Sequence, residues 1–138
     1  MLRKTVGFIA STIREYRRRQ QRVTMRAVEF CLCRCYEKRL GIDTLGIFKS
    51  EEKQSFFKDE FAYQAVQYVV IRKVFHYLRP NRGDVIMDLG CGKGRVICFA
   101  SAERRMKRVI GVELYKGLYE AAVENINNLK VKKTKINI

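Results

Sequence analysis

The stretch DVIMDLGCGKGR, residues 84–95, decides the fold of this chain of 138 residues. Residues 85–89 are a short apolar run bounded by turn residues and glycines, which is typical of a buried parallel strand. Gly90, Gly92 and Gly94 then alternate, and a helical pattern begins at Arg95. Because glycine leaves the backbone bare where a strand turns into a helix, a ligand can lie there against free N–H groups at the positive end of the helix.

The spacing of the glycines separates two classes of ligand. Dinucleotide-binding turns follow G-x-G-x-x-G, whereas this turn is G-x-G-x-G and is preceded by Asp-Leu. A second apolar run, residues 109–112, ends in Glu113, an acid that can hold both hydroxyls of an adenosine ribose. The combination of strand, turn, helix, strand and acid favours a nucleoside cofactor, with a nicotinamide or flavin dinucleotide as the weaker alternative.

The sequence D-L-G-C-G-K-G resembles motif I of the class I S-adenosylmethionine-dependent methyltransferases, and residues 109–113 resemble the strand and acid that follow it. The resemblance implies a Rossmann-like α/β fold, incomplete at its C-terminus and preceded by N-terminal helices, with S-adenosylmethionine as the cofactor. It implies that the backbone of the turn approaches the cofactor, that Asp88 attracts its amino group and that Glu113 accepts its ribose hydroxyls. The predicted cofactor-binding residues are Asp88, Gly90, Cys91, Gly92, Gly94 and Glu113.

Four residues near the turn have two interpretations each. Lys93 and Arg95 either contact the carboxylate of the cofactor or face solvent. Tyr63 and Tyr68 either adjoin the cofactor or pack in the core, and core packing is the commoner role of a tyrosine on such a helix.

Hydrophobic periodicity predicts two helices before the strand, one in residues 1–40 and one in residues 61–78. Gly41 and Gly46 break the chain between them, and a polar connection follows up to about residue 60. We therefore divide the chain into a basic helical extension with its loop, residues 1–60, and a cofactor-binding part, residues 61–138. The predicted apolar face of the first helix contains Val6, Ile9, Ile13, Tyr16, Val23, Ala27, Phe30, Cys31 and Cys35. That of the second contains Ala62, Ala65, Val66, Val69, Val70, Val74, Phe75 and Leu78.

The chain carries a net charge of +15, and its first forty residues hold eleven bases against three acids. This region, centred on residues 17–19 and Arg22, could contact nucleic acid or an anionic membrane. The alternative, which base rates favour, is the solvated face of a helix that packs by its apolar stripe.

Five cysteines without a secretory signal indicate free thiols in a reducing compartment, so we expect a cytoplasmic protein without a transmembrane segment. Cys31, Cys33 and Cys35 do not converge on one face of a helix, so no metal site is predicted.

The catalytic residues of the resembled family lie largely after the fourth strand, so we name no catalytic residue and leave the methyl acceptor open between nucleic acid and protein. The cofactor motifs are also similar to those of non-SET lysine methyltransferases. We expect the N-terminal part of a longer methyltransferase, a truncated product or a half completed by another chain, with weak cofactor binding and no turnover alone. The alternative is a non-catalytic cofactor- or RNA-binding module of the same fold.

Overall fold

The computed structural model describes residue 18, residue 23 and residues 25–46 and 63–138. Residues 25–40 are helical (α1). The following elements are α2 (Tyr68–Leu78), β1 (Val85–Leu89), α3 (Arg95–Glu103), β2 (Arg108–Val112), α4 (Lys116–Asn128) and β3 (Ile136–Asn137). The chain forms two compact units, Met1–Cys35 and Tyr36–Ile138. The second unit holds the last turn of α1 and all the elements that surround the glycine turn.

The three strands form a parallel sheet in the order β1-β2-β3. The predicted strand at residues 85–89, the helix that begins at Arg95 and the second strand are confirmed, although β2 begins one residue earlier than predicted. The helix α4 ends at Asn128, and the third strand, β3, contains only two residues. The alternation of strand and helix in the sequence therefore gives β–α units, as expected.

One face of the sheet is covered by helices. Since α3 links β1 to β2 and α4 links β2 to β3, two right-handed crossovers in the same direction place both helices on one face. Val109 and Gly111 of β2 point to that face and are buried. Gly111 is needed there, because a Cβ would lie 2.8 Å from Cδ1 of Ile97 in α3. The close fit of α3 onto β2 thus depends on the missing side chain.

The other face of the sheet is bare in the part of the chain that the structure describes. Val85, Met87 and Leu89 of β1 are 49%, 56% and 74% exposed, and Val112 of β2 is 47% exposed. Parallel sheets normally have both faces covered. This apolar surface, Val85, Met87, Leu89 and Val112, is the bare sheet face.

The second predicted helix is shorter than expected and buries a different face. It begins at Tyr68, and residues 63–67 precede it without regular structure, with Gln67 extended; residues 61 and 62 lie outside the described part. Tyr68, Ile71 and Phe75 are buried, with Phe75 packed edge-on against Phe99 of α3. Apart from Phe75, the helical residues of the predicted face are exposed, namely Val69, Val70, Val74 and Leu78.

The first helix shows the same period as predicted but again buries another face. Cys33, Tyr36 and Leu40 are buried together with Glu37, whereas the predicted Val23, Ala27, Phe30, Cys31 and Cys35 are exposed. Apolar periodicity missed this face because a charged residue, Glu37, lies in the middle of it. Cys31 and Cys35 are exposed and Cys33 is buried, so the three thiols do not share a face. The earlier positions of the predicted stripe, Val6, Ile9, Ile13 and Tyr16, lie outside the described residues, as do Arg17, Arg19 and Arg22.

Among the described residues, no helix combines the length and the apolar character that crossing a bilayer requires. In that same part of the chain, no three His, Cys, Asp or Glu side chains come together as a metal-binding group.

Candidate functional site

The turn between β1 and α3 requires glycine at all three alternating positions. Gly90, Gly92 and Gly94 have φ angles of 77°, 55° and 83°, in the left-handed region that residues with side chains rarely adopt. A Cβ on Gly90 would meet nothing within 4 Å, so the space above this residue is open. A Cβ on Gly92 would lie 2.3 Å from the ring of Tyr63. The turn thus offers an open cradle at Gly90 and a surface covered by an aromatic ring at Gly92.

Most N–H groups of this turn already have partners within the protein. The N–H groups of Gly90 and Cys91 both donate to the carbonyl oxygen of Val112, at 2.8 and 3.0 Å, and that of Gly94 donates to Cys91. The expectation of free N–H groups is therefore wrong at these positions, because the turn is fastened to the end of β2. What the glycines provide here is space for a ligand and a backbone path.

Glu113 lies at the mouth of the glycine turn. Its Oε2 accepts a hydrogen bond from the N–H of Gly92 at 2.8 Å, and its Oε1 accepts from the N–H groups of Leu114 and Tyr115, at 2.9 and 3.0 Å. The register of the sheet causes this proximity, since Leu89 pairs with Val112 and both the glycine turn and Glu113 therefore begin at the same end of the sheet. The carboxylate is thereby held in a fixed position between the turn and the start of α4.

Asp88 is the penultimate residue of β1 and pairs with Gly111 of β2. Partial burial raises the pKa of its carboxyl, and the negative charge of Glu113 raises it further. Among the described residues, Asp88 has neither a hydrogen bond nor an ion pair to offset this. Two carboxylates therefore lie close enough to repel each other beside the open space above Gly90, which suits a ligand with positive charge.

Cys91 contributes to the turn through its backbone. Its side chain is buried, and its Sγ is 3.0 Å from the position that a Cβ on Gly111 would take. Burial, followed by the charges of Asp88 and Glu113, raises the pKa of its thiol to about 11. Since the thiolate is the reactive form, this cysteine is inert near neutral pH.

A buried ion pair that the sequence did not reveal lies behind the turn. Arg95, the first residue of α3, is buried, and its Nη2 lies 3.1 Å from Oε1 of Glu37 in α1. Its Nε donates to Oγ1 of Thr44 at 2.6 Å, and its Nη1 donates to the carbonyl oxygen of Val66 at 2.9 Å. Thr44 also donates to Glu37. Neither sequence-based interpretation of Arg95 is right, because it joins α1, the loop after it and the segment before α2.

The segments joined by Arg95 also cover one side of the turn. Tyr63, whose ring lies against Gly92, donates its hydroxyl hydrogen to the carbonyl oxygen of Thr44 at 3.0 Å, and burial raises its pKa to about 12. Lys93 is half-buried, and its Nζ donates to the carbonyl oxygen of Leu45 at 2.9 Å. Of the two interpretations of Tyr63, the structure places it beside the predicted cofactor site.

Asn125 of α4 ties the loop after α1 to the glycine turn. Its Nδ2 donates to the carbonyl oxygens of Asp43 and Lys93, at 3.1 and 2.9 Å, and its Oδ1 accepts from the N–H of Asp43 at 2.7 Å. The side chain is only 5% exposed, so these bonds replace water fully.

Tyr68 packs in the core, as expected of the commoner interpretation. It is buried, its hydroxyl donates to Glu37 at 3.3 Å, and burial followed by the charge of Glu37 raises its pKa well above the ordinary value. The residues missed from sequence are therefore Glu37, Thr44 and Asn125. Glu37 and Thr44 are polar residues whose partner Arg95 is more than fifty positions away, so no local pattern marks them. Nothing in the pattern of α4 marks Asn125.

A family model matches this chain over most of the part that forms the site. The model described as "Histone methylation protein DOT1" matches residues 47–135, well over half of the chain. A protein-lysine N-methyltransferase of Saccharolobus islandicus (strain REY15A) is 33% identical over 57 residues, which cover 41% of this chain and 35% of that protein. The match thus spans about a third of the length of this relative.

Two solved structures overlap with about half of the chain. The YcgJ protein from Bacillus subtilis has a TM-score of 0.45 at 17% identity and covers 51% of this chain and 30% of its own. YjhP from E. coli has a TM-score of 0.45 at 20% identity and covers 53% of this chain and 29% of its own. The glycine turn, the acid after β2 and the family match agree in their position along the chain, and the chain belongs to the family of the histone methylation protein DOT1.

Proposed function

We propose that this chain binds S-adenosylmethionine at the glycine turn and forms the cofactor-binding part of a methyltransferase that acts on lysine side chains of proteins. The observation that carries the proposal is the pair of carboxylates, Asp88 and Glu113, at the ends of adjacent parallel strands. Open α/β sheets bind their ligands outside the carboxyl ends of the strands, where these two residues lie.

The residues of the site fit this cofactor in shape and charge. Open space above Gly90 leaves room for a ligand against the backbone, and the two mutually repelling carboxylates favour a cation. S-adenosylmethionine carries an ammonium group and a sulfonium, and it supplies a methyl group that positive sulfur has already activated. Asp88 would attract the ammonium group and Glu113 would accept the ribose hydroxyls, while the backbone of Gly90 and Gly92 would lie along the cofactor.

The three hydrogen bonds that Glu113 already accepts bear on how it would bind a ribose. A carboxylate has about four lone-pair sites, so three N–H donors leave about one of them free. We expect the bond from the N–H of Gly92 to yield when a ribose binds, because the bonds from Leu114 and Tyr115 belong to the start of α4. The same side chain would thus close the turn before binding and hold the sugar afterwards.

The proposed acceptor follows from the relative named as a protein-lysine N-methyltransferase. For methyl transfer, an acceptor ammonium must first lose a proton, and its nitrogen must lie in line with the methyl carbon and the sulfur. We assign neither task to a residue of this chain.

The bare sheet face supports a further part of the proposal, namely that additional polypeptide completes the enzyme. Apolar side chains that are 47% to 74% exposed on a parallel sheet are costly in water, and a covering layer removes that cost. We therefore expect the purified 138-residue chain to bind the cofactor weakly and to show no turnover. Robust methylation of a protein substrate by the monomeric chain alone would contradict this expectation.

The test of cofactor binding is a calorimetric titration with S-adenosylhomocysteine, with NAD as the comparison ligand. We expect saturable binding of the first compound only. Glu113→Gln should weaken it about 10- to 100-fold, since a hydrogen bond to a charged group contributes about 1.5–3 kcal/mol. Equal binding of NAD, or unchanged affinity of the Glu113→Gln variant, would contradict the proposal.

A matched control separates the role of Glu113 from a general effect of charge. Glu120 also lies near the start of α4, but it is exposed and faces Lys116 at the surface. Glu120→Gln removes one negative charge from the first turns of α4, seven residues after Glu113, and we expect its affinity to stay within about twofold of the wild type, as surface pairs contribute little.

A further inference from the structure

The loop after α3 and the loop before β3 lie side by side at the amino ends of the strands. Oγ1 of Thr134 donates to the carbonyl oxygen of Arg104 at 2.8 Å and accepts from the N–H of Met106 at 2.9 Å. The N–H of Lys133 donates to the carbonyl oxygen of Ser101 at 2.9 Å. Thr134 and Met106 are buried, so each loop has an anchor in the core. The two loops therefore form one fixed edge of the molecule.

Residues 104–108, which end with the first residue of β2, and residues 132–135 carry seven exposed bases and no acid. In each of the two stretches, one buried residue, Met106 or Thr134, is flanked on both sides by exposed cations. We call the cations the basic edge: Arg104, Arg105, Lys107, Arg108, Lys132, Lys133 and Lys135. None of them forms a salt bridge with another described residue.

The two acids nearest to the basic edge along the chain and the sheet are engaged elsewhere. The carboxylate of Glu103 lies 3.2 Å from Arg39 and accepts the hydroxyl hydrogen of Tyr36. Asp84 lies next to the basic edge, because its backbone carbonyl oxygen accepts a hydrogen bond from the N–H of Lys107. Its side-chain carboxylate accepts a hydrogen bond from the N–H of Asn81 at 2.7 Å. The seven like charges thus repel one another without local compensation, and an external polyanion would relieve that repulsion.

We propose that the basic edge binds the phosphate backbone of double-stranded nucleic acid, without reading the base sequence. Lysine and arginine offer only hydrogen-bond donors, and phosphate oxygens are acceptors in a dense array. Neither loop contains an aromatic residue on which an unpaired base could stack, which argues against single strands. Apart from Val131, the loops expose no large apolar side chain, so they lack the anchors of a protein–protein interface.

The position of the basic edge makes it independent of the cofactor site. The loops lie at the amino ends of the parallel strands, whereas the glycine turn and Glu113 lie at the carboxyl ends. A duplex bound at the basic edge leaves the space above Gly90 open. Binding of S-adenosylhomocysteine and binding of a duplex should therefore not compete.

The experiment measures fluorescence anisotropy of a labelled 25-base-pair DNA duplex between 50 and 200 mM salt. A duplex that neutralises about five of the seven cations gives a slope of log K against log salt of about −4.5, a loss of about 500-fold over this range. The variant Arg104→Gln, Lys107→Gln, Lys132→Gln and Lys133→Gln should flatten the slope by about 3. Its melting temperature and its affinity for S-adenosylhomocysteine should match the wild type.

A variant of equal charge provides the control. Arg18→Gln, Arg26→Gln, Lys38→Gln and Lys73→Gln remove four exposed cations from the part of the chain before β1. We expect this variant to keep most of the slope. The proposal is overturned if both variants lose the same amount of salt dependence, or if only the control loses it. It is also overturned if one isolated strand of the DNA binds more tightly than the duplex, or if polyglutamate at equal charge displaces the duplex completely.

Discussion

The buried pair of Arg95 and Glu37 offers a quantitative test of how the structure holds the loop that covers the glycine turn. Both side chains are almost fully buried, at 4% and 3% exposure, and three protein acceptors surround the guanidinium. Removal of one partner of such a pair leaves an uncompensated charge in the interior, which costs about 3–5 kcal/mol. We therefore expect Arg95→Met to lower the free energy of unfolding by about that amount.

A double-mutant cycle separates the pair from its surroundings. Glu37→Gln should cost about 1–3 kcal/mol, because the guanidinium keeps its bonds to Thr44 and Val66. The double variant should be more stable than the sum of the two single effects by at least about 1 kcal/mol, since the second change removes the charge that the first left unpaired. The assay is urea-induced unfolding followed by circular dichroism.

The chain contains a matched surface pair as a control. Nη2 of Arg39 lies 3.2 Å from Glu103, at nearly the same distance as in the buried pair, but the arginine side chain is 68% exposed. Arg39→Met should cost less than about 1 kcal/mol. The reasoning is refuted if Arg95→Met costs no more than Arg39→Met, or if Arg95→Met and Glu37→Gln are additive.

Three further predictions concern the glycine turn and its surroundings. Gly111→Ala should destabilise the fold by about 1–3 kcal/mol in thermal unfolding, since the new Cβ would lie 2.8 Å from a buried isoleucine; an unchanged melting temperature would contradict the packing of α3. Burial and a neighbouring carboxylate raise the pKa of Asp88 in the folded state, so its ionised form costs stability above that pKa and the cost is lost as the pH falls. Asp88→Asn should therefore raise the melting temperature at pH 7 but not in acid, and it should weaken the binding of S-adenosylhomocysteine; a lower melting temperature at pH 7 would refute this. At pH 7.5 a maleimide should label Cys31 and Cys35 but leave Cys91 unmodified, because Cys91 is buried and the pKa of its thiol is about 11. Labelling of Cys91 to the same extent as Cys31 and Cys35, measured by mass spectrometry of peptides, would contradict this prediction.

The part of the fold after residue 84 could be predicted from sequence because each signal there is local. Residues 85–89 and 109–112 are apolar runs between breakers, and the three glycines occupy left-handed positions that few other residues adopt. The placement of Glu113 beside Gly92 also follows from sequence, since the parallel register brings the ends of consecutive strands together.

The helical faces before β1 could not be predicted in the same way. Apolar periodicity favoured Val69 and Val70 in α2 and Phe30 in α1, which the structure exposes. The buried face of α1 instead contains Glu37, whose charge is compensated by Arg95, a residue 58 positions away. A count of apolar residues cannot detect a buried charge whose partner is remote in sequence. Both the buried face of α1 and the ion pair between Glu37 and Arg95 were therefore missed.

The early start predicted for α2 failed for a related reason. Apolar residues before Tyr68 suggested a longer helix, but the carbonyl oxygen of Val66 accepts from Arg95 and the ring of Tyr63 lies on Gly92. These tertiary contacts require a non-helical path, and they outweigh a local preference of a few tenths of a kcal/mol per residue.

The most direct test of the cofactor site is a map of amide chemical shifts in the ¹⁵N-labelled chain during titration with S-adenosylhomocysteine. We predict that the largest changes occur at Gly90, Gly92 and Glu113, with the amide of Gly92 responding as its bond to the carboxylate yields, while the amides of the basic edge stay in place. Saturable binding that leaves Gly90 and Glu113 unshifted, or that shifts mainly residues at the amino ends of the strands, would contradict the central claim.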